Sequence, residues 1–272
     1  MLSQETFLDL YLRPFRIVEQ LELACGYEKS FKLIDGQLLR NRYMLGIEKS
    51  ILDHRKLTSI CERMEMPRNS VDAFLSRVAD ANLVLLGFEA AADDCLYKIY
   101  LEYWDRMRAR LSSKQIAHEP QLLFQGFKWS ALDNSRAILT DYTCFPKLDV
   151  DEMMDRFDRL LSTGGERRVF DAVSEITGAA AGKVPGRQLI YLEACEEGNP
   201  RVSFDINLYS AGMALQSIRR PLERLFRYFS ISPGELDRLL AEAGLRPLGH
   251  LSAGTDRYGR DFVTVYYENP PK

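Results

Sequence analysis

Ten short β-type runs come in five pairs in this sequence, and most of them alternate apolar and polar residues with a period of two. The runs are 28–35 with 38–49, 82–91 with 95–104, 121–129 with 136–145, 187–196 with 199–209, and 246–254 with 260–268. A polar turn joins the members of each pair, which is the pattern of a β-hairpin. Segments of helical period separate the pairs, at 56–64, 70–81, 105–111, 149–161, 217–229 and 232–244. Ser232 and Glu235 have the spacing of a capping box at the start of the last one. The stretch 61–90 lines up with 226–254 as helix, turn, helix and hairpin, so the arrangement reads as a repeat.

Five hairpins with helices between them predict an α+β fold: a ten-stranded antiparallel β-barrel of five ββα repeats, surrounded by α-helices. The competing reading is an open sheet whose polar face meets water. In the barrel, the run NPRVSFDINLY turns Val202, Phe204, Ile206 and Leu208 toward the helices. Its polar face carries Ser203, Asp205, Asn207 and Tyr209, of which Ser203, Asp205 and Asn207 then line a lumen. The same rule places Glu28, Ser30, Lys32, Arg42, Met44, Gly46, Glu48, Gly87, Glu89, Lys98, Tyr100, Glu102, Tyr191, Glu193, His250, Thr264 and Tyr266 inside. The third hairpin lacks a clean period, so either Lys128 or Trp129 faces in, and either Asp141 or Tyr142.

At 272 residues and 46% hydrophobic content, the chain is long enough for one domain over 1–272 with a substantial core. A net charge of −3, with 36 basic residues interleaved among 39 acids, argues against nucleic acid as the main partner. No signal-peptide profile or long apolar run is present, so a cytoplasmic protein with no membrane partner is expected, as a monomer. Five cysteines without a CxxC pair suggest buried thiols rather than disulfides or a zinc site. His54, His118 and His250 are too scattered to suggest a metal site, and the acids of DVDEMMD read as the solvated face of an amphipathic helix.

The stretch YEKSFKLIDGQLLRNRYMLGIEK carries an acid, Glu28, then Arg42 fourteen residues later at the opening of the next strand, then Glu48. With Lys98 of LYKIYLEY, the GF of QGFKW and the tyrosine-rich VTVYYE, this resembles the cyanobactin peptide prenyltransferases, within the ABBA group of aromatic prenyltransferases. The resemblance covers nearly the whole chain. It implies transfer of a dimethylallyl or geranyl group from an allylic diphosphate to a side chain of a peptide, commonly cyclic. It further implies that Glu28 is the catalytic base and that Arg42, Lys98, Lys128, Tyr100 and Tyr266 bind the diphosphate.

Chemistry accommodates those roles. Ionising an allylic diphosphate needs positive charge on the leaving group, a load that Mg2+ commonly shares, with Glu48 or Glu89 as candidate ligands. The cation must be kept from water against aromatic faces, for which Tyr191, Tyr142 and Trp129 are candidates beside Tyr100 and Tyr266. Acids exceed bases in the expected lumen, which suits a cationic acceptor gripped by carboxylates, with Glu193, Asp205 and Asp141 as its contacts. Arginine is therefore the preferred acceptor. Prenylation of Tyr, Trp or His in a peptide, prenylation of a small phenol or indole, and a non-catalytic barrel that binds a phosphorylated ligand remain alternatives.

Overall fold

The computed structural model describes residues 2–270 except 91–93, 113–118, 147, 162–166, 186–188, 197, 200–201 and 257. Parts of three sequence-read turns, at 92–93, 197 and 257, and the residue His118 lie outside the described residues. The strands are β1 (Gly26–Ile34), β2 (Gln37–Glu48), β3 (Leu83–Ala90), β4 (Cys95–Glu102), β5 (Gln121–Ser130), β6 (Ile138–Cys144), β7 (Ile190–Glu196), β8 (Val202–Asn207), β9 (Leu248–Thr255) and β10 (Asp261–Asn269). Each pairs antiparallel with the next, and β1 pairs with β10, so the sheet closes into a ten-stranded barrel. Closure leaves neither an open edge nor the water-facing sheet of the competing reading. The first hairpin turns tightly because Asp35 (φ 44°) and Gly36 (φ 73°) both take the positive φ of a type I′ turn.

Around the barrel lie α1 (Gln4–Gln20), α2 (His54–Arg63), α3 (Arg68–Arg77), α4 (Trp104–Ser112), α5 (Val150–Leu161), α6 (Arg167–Ala181), α7 (Arg219–Tyr228) and α8 (Pro233–Ala243). They cover the outward residues of the strands. Tyr43 and Phe88 meet the rings of Tyr11 and Phe7 from α1, and Phe204 stacks on Phe157 of α5 with centroids 4.3 Å apart. The alternation misses two helices. Pro14 inside α1 masks its period, and the small residues of α6 (Ala172, Ala180 and Ala181 among its buried set) give little contrast.

Two local expectations are corrected. Ser232 does stand at the N-cap of α8, but its hydroxyl caps nothing; Pro233 starts the helix instead. The reciprocal capping box occurs at α5, where Asp149 Oδ1 accepts from the Glu152 amide at 2.8 Å and Glu152 Oε2 accepts from the Asp149 amide at 3.0 Å. All five cysteines are free thiols, with Cys61, Cys95 and Cys144 buried and Cys195 exposed.

Candidate active site

Strand register stacks the inward side chains in levels. Ser30 of β1 lies opposite Arg42 of β2, which lies opposite Glu89 of β3. The next row starts at Glu28 and passes through Met44, Gly87, Lys98 of β4 and Lys128 of β5; strand tilt makes such rows oblique to the barrel axis. Gly87 leaves the Lys98 stem room, since a Cβ there would stand 3.2 Å from it. The inner end of the lumen thus collects Arg42, Lys98 and Lys128, three cations that the sequence spreads over 87 positions. Folding pays for this with buried counter-charges. Glu89 accepts from both Arg42 and Lys98, and Glu196 of β7 faces Lys128 at 3.4 Å and accepts from the Thr140 hydroxyl at 3.0 Å.

Burial works against the charged form of Glu89, but the attraction of Arg42, Lys98 and Lys32 outweighs it and holds the carboxyl well below its usual range. Burial pushes the Lys98 ammonium down to about 8, with Glu89 opposing and Arg42 and Lys128 adding to the effect. The cluster is therefore held charged by acids that a bound polyanion could complement or displace.

Aromatic rings stand beside the cations. Tyr100 and Tyr142 stand with centroids 5.9 Å apart, and Lys128 donates to the Tyr142 hydroxyl at 3.0 Å. The Tyr100 ring lies over Gly126, where an added Cβ would come within 2.5 Å of a ring carbon. The GF of QGFKW thus includes the residue that makes room for this ring. Tyr266 and Phe124 complete the aromatic wall, with Leu85, Leu192 and Met44 between them, around a cavity of about 490 Å3.

The opposite end is acidic. Glu28, Glu102, Asp205 and Glu268 line the cavity there with His250, Asn207 and Tyr209. Glu28 is half-buried and Glu268 exposed, so this end is the mouth. Burial pushes the carboxyls of Glu28 and Glu102 up; His250 pulls both the other way. Asp205 holds His250 Nδ1 at 2.7 Å. Burial disfavours the imidazolium, yet Asp205, Glu28 and Glu102 raise it to about 9.

Of the sequence-read candidates, Glu28, Tyr100, Tyr142, Asp205 and Tyr266 line this cavity, and Arg42, Lys98 and Lys128 stand on the same inward strand faces at its inner end. Four do not. Trp129 faces outward and packs on Tyr97, buried to 2% exposure. Asp141 faces outward and accepts from Gln125 at 2.9 Å. Tyr191 packs against Phe157 and Phe204 in the outer core, and its hydroxyl donates to Glu193 at 2.9 Å. Glu193 in turn accepts from Arg156 of α5 at 2.7 Å. These polar groups are outside because helices offer them partners, which the alternation rule ignores. The register was the missing signal: Asp205 faces in and lies opposite Leu192, so Leu192 faces in and its neighbours Tyr191 and Glu193 face out.

Glu48 is exposed at the mouth, and among the described residues no group of three His, Cys, Asp or Glu side chains could hold a metal ion. Glu89 is committed to Arg42 and Lys98. The inner end of the lumen thus offers a diphosphate direct contacts from cations. Residues the sequence reading did not single out include Glu196, Phe124, Thr140 and Glu268; it put Tyr209 on the polar face of its run but gave it no role.

No protein-family profile matches the sequence, and no curated protein matches it. Solved structures do. The 6-dimethylallyltryptophan synthase from Micromonospora olivasterospora, with DMASPP and Trp bound, is 18% identical over 90% of this chain and 84% of its own, with a TM-score of 0.57. The 5-dimethylallyltryptophan synthase from Streptomyces coelicolor is 15% identical over 98% of this chain and 92% of its own, with a TM-score of 0.63. AnaPT from Neosartorya fischeri is 12% identical over 89% of this chain and 77% of its own, with a TM-score of 0.56. The ten-stranded closed barrel of this chain is therefore the fold of these aromatic prenyltransferases.

Proposed function

We propose that this chain is a prenyltransferase: it transfers an isoprenyl group, dimethylallyl or geranyl, from an allylic diphosphate to a nucleophilic side chain. One observation carries the reading. A buried cation cluster stands on the inward strand faces, joined to the aromatic wall where Lys128 donates to Tyr142, and a half-buried carboxylate, Glu28, lines the cavity that this wall encloses. Arg42, Lys98 and Lys128 take the diphosphate and stabilise it as the allylic C–O bond breaks with its electron pair. Tyr100, Tyr142, Tyr266 and Phe124 keep water from the cation and offer it π faces. The acceptor enters at the mouth, its nucleophilic atom bonds to the allylic carbon, and its proton passes to Glu28. The cations supply the positive charge on the leaving group, so no step is assigned to Mg2+.

The resemblance to cyanobactin enzymes supports a peptide acceptor, and the acidic mouth supports arginine within it. The clamp differs from the sequence expectation: Glu193 and Asp141 face outward and Asp205 is engaged by His250, which leaves Glu102 and Glu268 to meet a guanidinium. A second reading, an indole acceptor, draws on the aromatic wall, and one of the similar structures named above, the 6-dimethylallyltryptophan synthase, was crystallised with tryptophan. The test is mass spectrometry after incubation with dimethylallyl or geranyl diphosphate and cyclic peptides bearing Arg, Tyr, Trp or His, alongside free tryptophan, with and without EDTA. A prenylated arginine peptide in the presence of EDTA is expected. Modification of tryptophan alone would select the second reading, and no product with any acceptor would favour a barrel that only binds.

A further inference from the structure

Tyr209 begins a short turn, Tyr209–Ala211, directly after β8. Two bonds pin its backbone: the Leu208 amide donates to the Gly249 carbonyl at 2.7 Å, and the Tyr209 amide donates to Asn207 Oδ1 at 3.1 Å. From there the side chain crosses the mouth, and its hydroxyl donates to Glu28 Oε2 at 2.6 Å. The ring meets the edge of His250 with centroids 5.6 Å apart. Gly249 makes the contact possible, because a Cβ at that position would lie 2.8 Å from both Glu28 Oε2 and the Tyr209 hydroxyl. β8 and β9 thus provide a fixed donor, and a gap to accommodate it, against one oxygen of a carboxylate on β1.

We infer that Tyr209 is a positioning residue for Glu28: it occupies Oε2 and so presents Oε1 to the acceptor proton. This rests on the reading of Glu28 as the base. A carboxylate alone rotates and offers either oxygen; one anchored by a phenol offers a single basic atom in a fixed direction. Four groups set the charge on Glu28. Burial raises its carboxyl, His250 and the Tyr209 hydrogen bond lower it, and Asp205 and Glu268 raise it. Removing the phenol therefore moves the carboxyl further up, and the ionised base then appears at higher pH.

The experiment compares Tyr209→Phe, Gly249→Ala and Glu28→Gln in the full chain. One readout is the pH dependence of prenyl transfer with dimethylallyl diphosphate and either an arginine-containing cyclic peptide or tryptophan. The other is a titration of the Glu28 carboxyl by NMR on carboxyl-labelled protein, which needs no substrate. Tyr209→Phe should lower turnover by roughly tenfold or more, move the acid limb of the profile to higher pH and raise the Glu28 titration midpoint. Gly249→Ala, which keeps both side chains but forces them apart, should act in the same direction and decides the matter should Tyr209→Phe fold poorly. An unchanged acid limb and an unchanged Glu28 midpoint in both variants would overturn the role of Tyr209. Full activity of Glu28→Gln would instead remove the base assignment beneath it.

Discussion

Each charged side chain of the lumen is set by what it faces. Glu28→Gln keeps the shape of the base but cannot take a proton, so turnover should fall by roughly 100-fold or more while affinity for a thiolodiphosphate analogue stays unchanged; steady-state kinetics with analogue titration checks both. Lys98, at about 8, loses its charge as pH rises through that value. Analogue affinity should accordingly weaken between pH 7 and 9 in the native protein and weaken less in Lys98→Arg, whose guanidinium stays protonated. Arg42→Ala should weaken the same binding by about 1–3 kcal/mol, the range for charge-assisted contacts. His250 is raised to about 9 by Asp205, Glu28 and Glu102 against the effect of burial. Its folded value exceeds its unfolded value, so its contribution to stability is complete below the unfolded pKa and lost as pH rises through about 9. The thermal midpoint of the native protein should thus exceed that of Asp205→Asn at neutral pH, and the gap should close above pH 9.

The two faces of a strand exchange meanings once helices cover the outside. β5 presents Lys128 to the lumen and Trp129 to the helical layer, although the sequence allowed either. Trp129→Ala should accordingly cost about 3–5 kcal/mol of stability, the usual range for truncating a buried Trp, and leave donor affinity per folded molecule unaltered; chemical denaturation and analogue titration separate the two effects. β7 shows the converse. Its polar Glu193 points outward because Arg156 and Tyr191 satisfy it there, while Leu192 and Ala194 point in. Hydrophobic contrast reads a strand well only where one face is wet. In this barrel both faces are largely buried, so contrast identified the strands but not always their inner side.

Closure is the property of the whole molecule that makes the site. β1, which carries Glu28, and β10, which carries Tyr266, are at opposite ends of the chain, and only their pairing brings the two residues into one cavity. In a closed barrel neither strand is an edge, so amides of β1 and β10 should resist hydrogen exchange as strongly as those of β5. Fast exchange confined to β1 and β10 would indicate an open sheet in solution. The helices found only in the structure, α1 and α6, serve the same end by burying the outer faces, with Leu10, Ile17 and Val18 of α1 in the outer core.

Local pattern in the sequence determined the ten strands, their pairing into hairpins and the helical segments between, because period and turn chemistry are written in neighbouring residues. It also determined the lumen placement of Glu28, Arg42, Lys98 and Asp205, whose strands carry clear alternation. Tertiary structure alone decided that Lys128 and Tyr142 face in while Trp129, Asp141, Tyr191 and Glu193 face out. It alone paired Glu89 with Arg42 and Lys98, and set the Tyr209 hydroxyl on Glu28 across a gap left by Gly249. The physical reason is the same throughout: a buried polar side chain goes where a partner satisfies it, and the partner here comes from a distant strand or helix that only the closed barrel brings near.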